Sequence, residues 1–165
     1  MDKTSNLPLK YQGYAVVCQE VPDEISLAFN ISGCPHKCKQ CHSEYLWKYD
    51  GKLIGEDLDQ ILSINKDFIS CVCFMGGDQN LEELYSLCTK IKNTYHLKTC
   101  IYSGLNEIVF FKDFIENNIL DYLKIGRYEY LRGGLDSPNT NQRMYKIIDS
   151  NTMECLNDRF HKPML

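Results

Sequence analysis

The sequence lacks the features that mark membrane proteins, secreted proteins and nonspecific nucleic-acid binders. It has no run of about eighteen apolar residues, so we expect no membrane-spanning helix. The first residues, MDKTSNLPLKYQGY, contain no apolar core of the kind found in signal peptides, and we expect a cytoplasmic protein. Basic residues are not in excess, because 18 Lys and Arg face 22 Asp and Glu, for a net charge of −4. A nonspecific nucleic-acid binder needs a basic face, so we expect no nucleic-acid partner.

Internal repeats, low-complexity segments and obvious linkers are also missing. The length of 165 residues fits one domain, which we expect to span residues 1–165. The apolar fraction of 44% and the charged fraction of 24% are ordinary for a globular protein. A domain of this size buries roughly 70% of its unfolded surface, which is enough for a substantial core.

Cysteine, by contrast, is abundant, and three cysteines lie within eight residues. The total of nine is odd, so complete internal pairing is impossible. In a cytoplasmic chain, clustered cysteines more often indicate metal or redox chemistry than disulfides. The cluster is Cys34, Cys38 and Cys41, spaced C-x3-C-x2-C within GCPHKCKQCH.

This spacing favours an iron–sulfur cluster over a single zinc ion. Structural zinc needs four ligands, and His36 or His42 would strain so short a loop as the fourth, so we expect both histidines to be surface or loop residues. A four-iron cluster held by three cysteines keeps one iron open to a small molecule. Electron carriers usually supply four cysteines per cluster, and no fourth lies nearby. We expect the remaining six to be buried apolar residues: Cys18, Cys71, Cys73, Cys88, Cys100 and Cys155.

The hydrophobic pattern predicts alternating strands and helices. Predicted strands cover 14–18, 25–31, 68–75, 97–102 and 122–125, and predicted helices cover 55–64, 80–95, 106–118 and 141–148. Such alternation is typical of an α/β protein with a parallel sheet and right-handed crossovers. The units are too few for a closed eight-stranded barrel.

Polar and glycine residues follow the predicted strands where each strand ends. The three cysteines follow strand 25–31, Gly76-Gly77-Asp78 follows strand 68–75, Ser103 follows strand 97–102, and Gly126 follows strand 122–125. The carboxyl edge of a parallel sheet is where ligands bind in α/β folds. The sequence therefore predicts one site built from four loops.

The cysteine motif resembles that of the radical S-adenosylmethionine (SAM) family, and Gly76-Gly77-Asp78 resembles the Gly-Gly-acid segment that this family places one strand later. A closer resemblance is to the activating component of anaerobic (class III) ribonucleotide reductase. It extends from about residue 30 to residue 145 and is carried by GCPHKC, CHSEYLW, YSG at 102–104, KIGRY at 124–128 and LDSPNTNQRMY at 135–145.

The resemblance implies an incomplete parallel βα barrel of the radical SAM type and a specific reaction. Cys34, Cys38 and Cys41 would hold a [4Fe-4S] cluster, and SAM would chelate the open iron through its amino and carboxylate groups. One electron, implied to come from a flavodoxin or ferredoxin-type donor, would cleave the sulfonium bond. The resulting 5′-deoxyadenosyl radical would take a hydrogen atom from a glycine of the large reductase subunit. The implied enzyme is an oxidoreductase that activates a glycyl-radical enzyme.

The resemblance also implies roles for the other loop residues. Gly76 and Gly77 would allow the backbone to approach the methionine part of SAM, because no Cβ intervenes. Asp78 would accept from the ammonium group, or simply cap the next helix. Ser103 would bond the ribose or the carboxylate, and Gly126 would let adenine approach the last strand.

Two residues depart from the family pattern, and three alternatives stay open. Gln40 stands where many radical SAM proteins have an aromatic or apolar residue, and Asp78 stands where Glu is usual. The alternatives are a radical SAM enzyme with another target, whether a different glycyl-radical enzyme or a small molecule, a zinc-binding module without catalysis, and an electron carrier.

Overall fold

The computed structural model describes residues 6–161, and its centre is one eight-stranded sheet. The strands are β1 (Lys10–Val17), β2 (Ser26–Ile31), β3 (Lys52–Leu53), β4 (Cys71–Met75), β5 (Lys98–Tyr102), β6 (Tyr122–Ile125), β7 (Arg143–Asp149) and β8 (Thr152–Cys155). Their order across the sheet is β3-β1-β2-β4-β5-β6-β7-β8. Strands β2, β4, β5 and β6 are parallel, and antiparallel strands flank them on both sides.

Three helices connect the parallel strands. They are α1 (Ile54–Asn65), α2 (Leu81–Lys90), which continues as one π-helical turn (Ile91–Tyr95), and α3 (Lys112–Glu116), which follows a 3-10 turn (Ile108–Phe111). Two further 3-10 turns cover Glu44–Trp47 and Asn157–Phe160. Within residues 6–161, no helix has both the length and the apolar character needed to cross a membrane.

The helices pack on one face of the sheet and form the larger core. Leu58 of α1, Leu84 of α2 and Phe114 of α3 join the inward side chains of the strands, such as Phe29 and Phe74, in one buried cluster. The central strands are buried on both faces, which explains why their sequences are nearly continuous apolar runs. The predicted face of strand 25–31 is correct for Leu27, Phe29 and Ile31, whereas Ile25 lies outside β2 and is exposed.

Chain segments outside the helices cover the other face of the sheet. A second buried cluster there is made of Val21, Ala28, Cys71, Cys73, Cys100, Tyr122, Leu135, Met144 and Leu156. The prediction of buried cysteines is confirmed for Cys71, Cys73, Cys88 and Cys100. It is wrong for Cys18 and Cys155, which are exposed because one follows the end of β1 and the other ends the edge strand β8.

The predicted helix over 141–148 is wrong, because this segment forms β7. Its apolar residues Met144, Tyr145, Ile147 and Ile148 match helical spacing, but two are β-branched and one is aromatic, which favours a strand. Strand β7 pairs antiparallel with β6, which would otherwise end the parallel part of the sheet with unpaired backbone groups. Met144 is buried, and the neighbouring Arg143 is exposed.

The remaining predicted elements are present with shifted bounds. The strand predicted over 68–75 begins only at Cys71, and Phe68 is exposed. The helix predicted over 106–118 is shortened to a 3-10 turn and the single turn of α3. The assignment of this sheet to the incomplete βα barrels of the radical SAM type stays a prediction.

Candidate metal centre

The loops after β2, β4 and β5 meet at one cavity of about 220 Å³. Seven of the eight predicted site residues line it, namely Cys34, Cys38, Cys41, Gly76, Gly77, Asp78 and Ser103. The parallel strands bring these residues together because all their carboxyl ends lie at the same edge of the sheet. We call this space the cysteine cavity.

The cysteine loop, residues 33–42, is fixed at its base by backbone hydrogen bonds. Gly33 N donates to Lys48 O at 3.3 Å, and Cys34 N donates to Leu46 O at 3.0 Å. Within the loop, Cys41 N donates to Cys38 O at 3.1 Å. These bonds turn the chain back on itself, so that all three thiols line one space.

The donor set fits a cluster better than a single metal ion. Among residues 6–161, no three His, Cys, Asp or Glu side chains converge closely enough to hold one ion. A structural zinc requires such convergence, whereas in an iron–sulfur cluster each thiolate binds a different iron. The cysteine cavity supplies three thiols at one space, which is the ligand chemistry that a [4Fe-4S] cluster requires.

Cluster assembly at this site would release protons. Burial raises the pKa of the Cys34 thiol, although backbone hydrogen bonds from His36 and Lys37 oppose that rise. Metals bind the thiolate form, so a thiol with a raised pKa gives up its proton when it becomes a ligand.

Gly76 and Gly77 line the cavity, but the structure gives them a packing reason to be glycine. Both have positive φ, +114° and +110°, a backbone region that residues with a side chain rarely adopt. A Cβ at Gly77 would lie 2.8 Å from Leu84 Cδ1 in α2, and a Cβ at Gly76 would lie 3.3 Å from Ile31 Cβ. Their missing side chains therefore make room for the protein's own core, and their backbones face the cavity.

Asp78 does not cap α2. Asn80 has that role, because its side chain accepts from Glu83 N at 3.0 Å. Asp78 Oδ2 instead accepts from Gly104 N at 2.8 Å and from His36 Nε2 at 2.6 Å. Asp78 Oδ1 is buried and has no hydrogen-bond partner in the described part of the chain. Asp78 thus lines the cysteine cavity and has one carboxylate oxygen that no described group uses.

Ser103 joins the site together with a lysine that the sequence analysis did not single out. Lys124 Nζ donates to Ser103 O at 3.1 Å and to Gly126 O at 2.8 Å. Burial lowers the pKa of Lys124 to about 8, although Asp78 and the three cysteines favour its charged form. A signal was present in the sequence, since a lysine inside a short apolar strand is expensive to bury without a role.

Gly126 is the one predicted site residue outside the lining of the cysteine cavity. Its φ is +107°, and a Cβ there would lie 2.9 Å from the Cα of Gln142, just before β7. Its carbonyl accepts from Lys124. Gly126 therefore permits close packing of two chain segments and helps to position a cavity residue, and its predicted contact with adenine stays a prediction.

His36 is a loop residue, as predicted, but it does not lie at the surface. Its side chain is only 15% exposed, and its ring contacts Asp78. Within the sequence, nothing distinguishes this histidine from His42, which is exposed and lies 3.2 Å from the hydroxyl of Tyr128. Its partner is 42 positions away, so only the folded chain reveals the pair.

A second cavity of about 460 Å³ adjoins the first. Five residues line both of them: Cys41, Ser43, Tyr102, Lys124 and Tyr128. The second cavity adds polar groups from other parts of the chain, including Glu20, Asp136 and Gln142. The two cavities therefore lie side by side and share part of their walls.

Comparison with known proteins gives one match. A family model described as a 4Fe-4S single cluster domain matches residues 24–130, which is 107 of the 165 residues. This stretch runs from the residue before Ile25 to the loop after β6 and contains all eight predicted site residues. Neither a search of curated proteins nor a search of solved structures gave a match.

Proposed function

The chain belongs to the 4Fe-4S single cluster domain family, and we propose that it is a radical SAM enzyme that generates a glycyl radical on the large subunit of anaerobic ribonucleotide reductase. One observation carries the proposal. The three cysteines line the same cavity as Asp78, whose Oδ1 is buried without a partner. An iron–sulfur protein that only carries electrons needs no unused carboxylate oxygen beside its cluster, whereas an enzyme that binds an amino acid derivative there has a use for it.

Each part of the cavity has a definite task in this proposal. Cys34, Cys38 and Cys41 would hold the [4Fe-4S] cluster, which would supply the one electron that cleaves SAM into methionine and the 5′-deoxyadenosyl radical, the species that takes the hydrogen atom. Asp78 Oδ1 accepts a hydrogen bond from an N–H of the amino group of SAM. The Ser103 hydroxyl donates to the ligand, since its oxygen already accepts from Leu105 N at 2.9 Å.

Lys124 contributes charge and position. Three thiolates and the Asp78 carboxylate place several negative charges around one small cavity. The buried ammonium group of Lys124 offsets part of that charge, and its bonds to Ser103 O and Gly126 O tie the loops after β5 and β6 together. Electrostatic compensation of this kind is strong where water is excluded.

The adjoining cavity supports a protein substrate. The cysteine cavity, at about 220 Å³, shares five lining residues with the adjoining space of about 460 Å³. In this proposal, a glycine-bearing segment of the partner enters the adjoining space and closes it. In the same proposal, a flavodoxin or ferredoxin-type protein delivers the electron.

The test is an anaerobic turnover assay. The protein is reconstituted with iron and sulfide, given dithionite and SAM, and assayed for 5′-deoxyadenosine by chromatography. Formation of 5′-deoxyadenosine that depends on the protein is the expected result. Addition of the large reductase subunit is then expected to give a glycyl radical signal in electron paramagnetic resonance.

Other results would replace the proposal in different ways. A cluster that is reduced and reoxidised while SAM stays intact, with and without the reductase, would make the protein an electron carrier. Cleavage of SAM without a radical on the reductase would point to another target, either a different glycyl-radical enzyme or a small molecule. If the protein bound zinc and no iron, it would lack the cluster for which its family is described, and a zinc-binding module would replace the proposal.

A further inference from the structure

We infer that His36 is a positioning residue that holds Asp78 so that its free oxygen faces the amino group of SAM. The inference rests on the proposed function. His36 lies between Cys34 and Cys38 and is not a cluster ligand in the proposed function. It would act on SAM only through the side chain of Asp78.

The first support is that both donors to Asp78 reach the same oxygen. Asp78 Oδ2 accepts from His36 Nε2 at 2.6 Å and from Gly104 N at 2.8 Å. Hydrogen bonds to a carboxylate are stronger than neutral ones, and two of them fix the orientation of the group. Rotation of the carboxylate would break both bonds, so Oδ1 is held as the unused acceptor.

The second support is the burial of the pair. The side chain of His36 is 15% exposed and that of Asp78 is 3% exposed. A buried acceptor without a partner is costly, by about 1–3 kcal/mol, unless something else satisfies it. Asp78 Oδ1 carries this cost, whereas Oδ2 accepts two hydrogen bonds. An acceptor left free in this way is suited to a hydrogen-bond donor on a bound ligand.

The third support is the space kept for the imidazole ring. A Cβ on Gly104 would lie 2.5 Å from His36 Cδ2, so the ring occupies the volume that a side chain at position 104 would need. The backbone of His36 is held as well, because Arg127 Nη2 donates to His36 O at 2.7 Å. Loops after β4, β5 and β6 therefore all contact the cysteine loop through this one residue.

Through these contacts, His36 connects the loop that carries the three cysteines with the carboxylate of Asp78, which would bind SAM. His36 lies between Cys34 and Cys38, and Asp78 lies in the loop after β4. The link places the carboxylate at a fixed position relative to the cysteine loop. Its predicted effect is therefore on the amino acid part of SAM, and little effect is expected on the adenosine part.

The test compares His36→Leu, which cannot donate, with His36→Gln, whose amide can reach a similar position. On the anaerobically reconstituted protein, SAM affinity is measured by calorimetry, and iron and sulfide content is measured in parallel. We expect His36→Leu to weaken SAM binding about tenfold with unchanged iron content, the scale set by one hydrogen bond to a charged group. His36→Gln is expected to recover most of the affinity.

Two comparisons separate positioning from a general structural effect. The affinity for 5′-methylthioadenosine, which lacks the amino acid part, should be the same in His36→Leu and in the wild type. In an Asp78→Asn background, His36→Leu should cost little more, because the two residues act as one unit. His42→Leu is the matched control, since it removes an imidazole from the same loop that contacts Tyr128 and not Asp78.

The outcomes distinguish this inference from the proposed function. If the wild-type protein holds its cluster and binds no SAM, the proposed function fails. If it binds SAM and His36→Leu binds SAM equally well, or loses SAM and 5′-methylthioadenosine in equal measure, the positioning role is overturned. Should His36→Leu fail to take up iron, Gly104→Ala carries the test by pushing on the ring, and wild-type SAM affinity there would contradict the inference.

Discussion

The hydroxyl of Tyr122, the first residue of β6, donates to Glu24 Oε1 at 2.8 Å, across 98 positions of sequence. Glu24 also accepts from Ser70 and Lys98, which lie at the starts of β4 and β5. One buried carboxylate therefore joins the amino ends of the parallel strands, at the edge of the sheet opposite the cysteine cavity. Each strand that carries a site loop is fixed at its other end by this network.

Glu24→Gln is expected to destabilise the protein. The neutral amide keeps the shape but loses charge-assisted bonds to a buried group, at a cost of about 2 kcal/mol. For a chain of this length, the loss corresponds to a fall in Tm of about 4–8 °C. Asp59→Asn is the control, because Asp59 and its partner Lys90 are exposed and such pairs contribute less than about 1 kcal/mol. Equal shifts in the two variants would contradict a special role for Glu24.

The contribution of Glu24 should depend on pH. Burial raises its pKa, but hydrogen bonds from Lys98, Ser70 and Tyr122 outweigh burial and hold the pKa below the ordinary value of 4.5. A carboxylate with a lowered pKa stabilises the fold above its unfolded pKa and loses that effect as pH falls through its folded pKa. The difference in Tm between wild type and Glu24→Gln should be full at pH 7 and shrink below 4.5. A constant difference would show that charge is not involved.

Replacing Cys34, Cys38 or Cys41 with alanine should remove the cluster. Each replacement deletes one of only three thiols that line the cavity, so we expect iron and sulfide content near zero and no SAM cleavage. Cys155→Ala is the matched control, because this exposed thiol lies on the edge strand β8 and outside the cavity. A fully loaded and active Cys38→Ala variant would refute the ligand assignment.

Gly77→Val should lower stability more than it lowers SAM affinity. The positive φ of +110° costs a side chain about 1–2 kcal/mol, and the new Cβ would approach Leu84 of α2 to 2.8 Å. Thermal unfolding should show the loss, whereas Gly13→Val should show none, because a Cβ there meets no atom within 4 Å. A Gly77→Val protein of wild-type Tm that no longer binds SAM would place the valine side chain in the cavity instead.

Lys124→Met should lower the reduction potential of the cluster. A buried positive charge beside the cysteines favours the reduced, more negative state, and its removal should shift the midpoint potential downward by on the order of 50 mV. Anaerobic redox titration measures the shift. Lys112→Met, on α3, removes an equal charge that pairs with Glu116 outside the cavity and should leave the potential unchanged. An unchanged potential in Lys124→Met would exclude this role.

The parallel strands and the cysteine site were accessible from sequence because their signals are local. Apolar runs identify buried strands, and three cysteines within eight residues indicate a metal or cluster site. Residues 141–148 were assigned to the wrong element because their apolar spacing fits a helix too, and only pairing with β6 decides for a strand. The two-residue turn Ser150-Asn151 joins β7 and β8, but it lacks the glycine that marks such hairpins in a sequence.

The finer parts of the site depend on contacts between distant positions. Asp78 and Asn80 are equally good caps by composition, and the choice follows from His36 and Gly104, which bind Asp78 in the folded chain. Gly77 is glycine because of Leu84, a residue in the next helix. The spacing of residues in the sequence therefore located the loops of the site, whereas the contact partner of each side chain could be identified only from the structure.

The closure of the cysteine loop by backbone bonds at Gly33 and Cys34 bears on how the protein survives damage by oxygen. The loop is already shut at its base by Lys48 O and Leu46 O, and its cysteines belong to neither hydrophobic core in the described residues. These backbone bonds involve no cysteine thiol, so we expect the cysteine loop to be less dependent on its metal than small zinc domains that unfold without theirs. We therefore expect a protein that has lost its cluster in air to keep this loop and to regain iron and sulfide on anaerobic reconstitution, with no new synthesis of the chain.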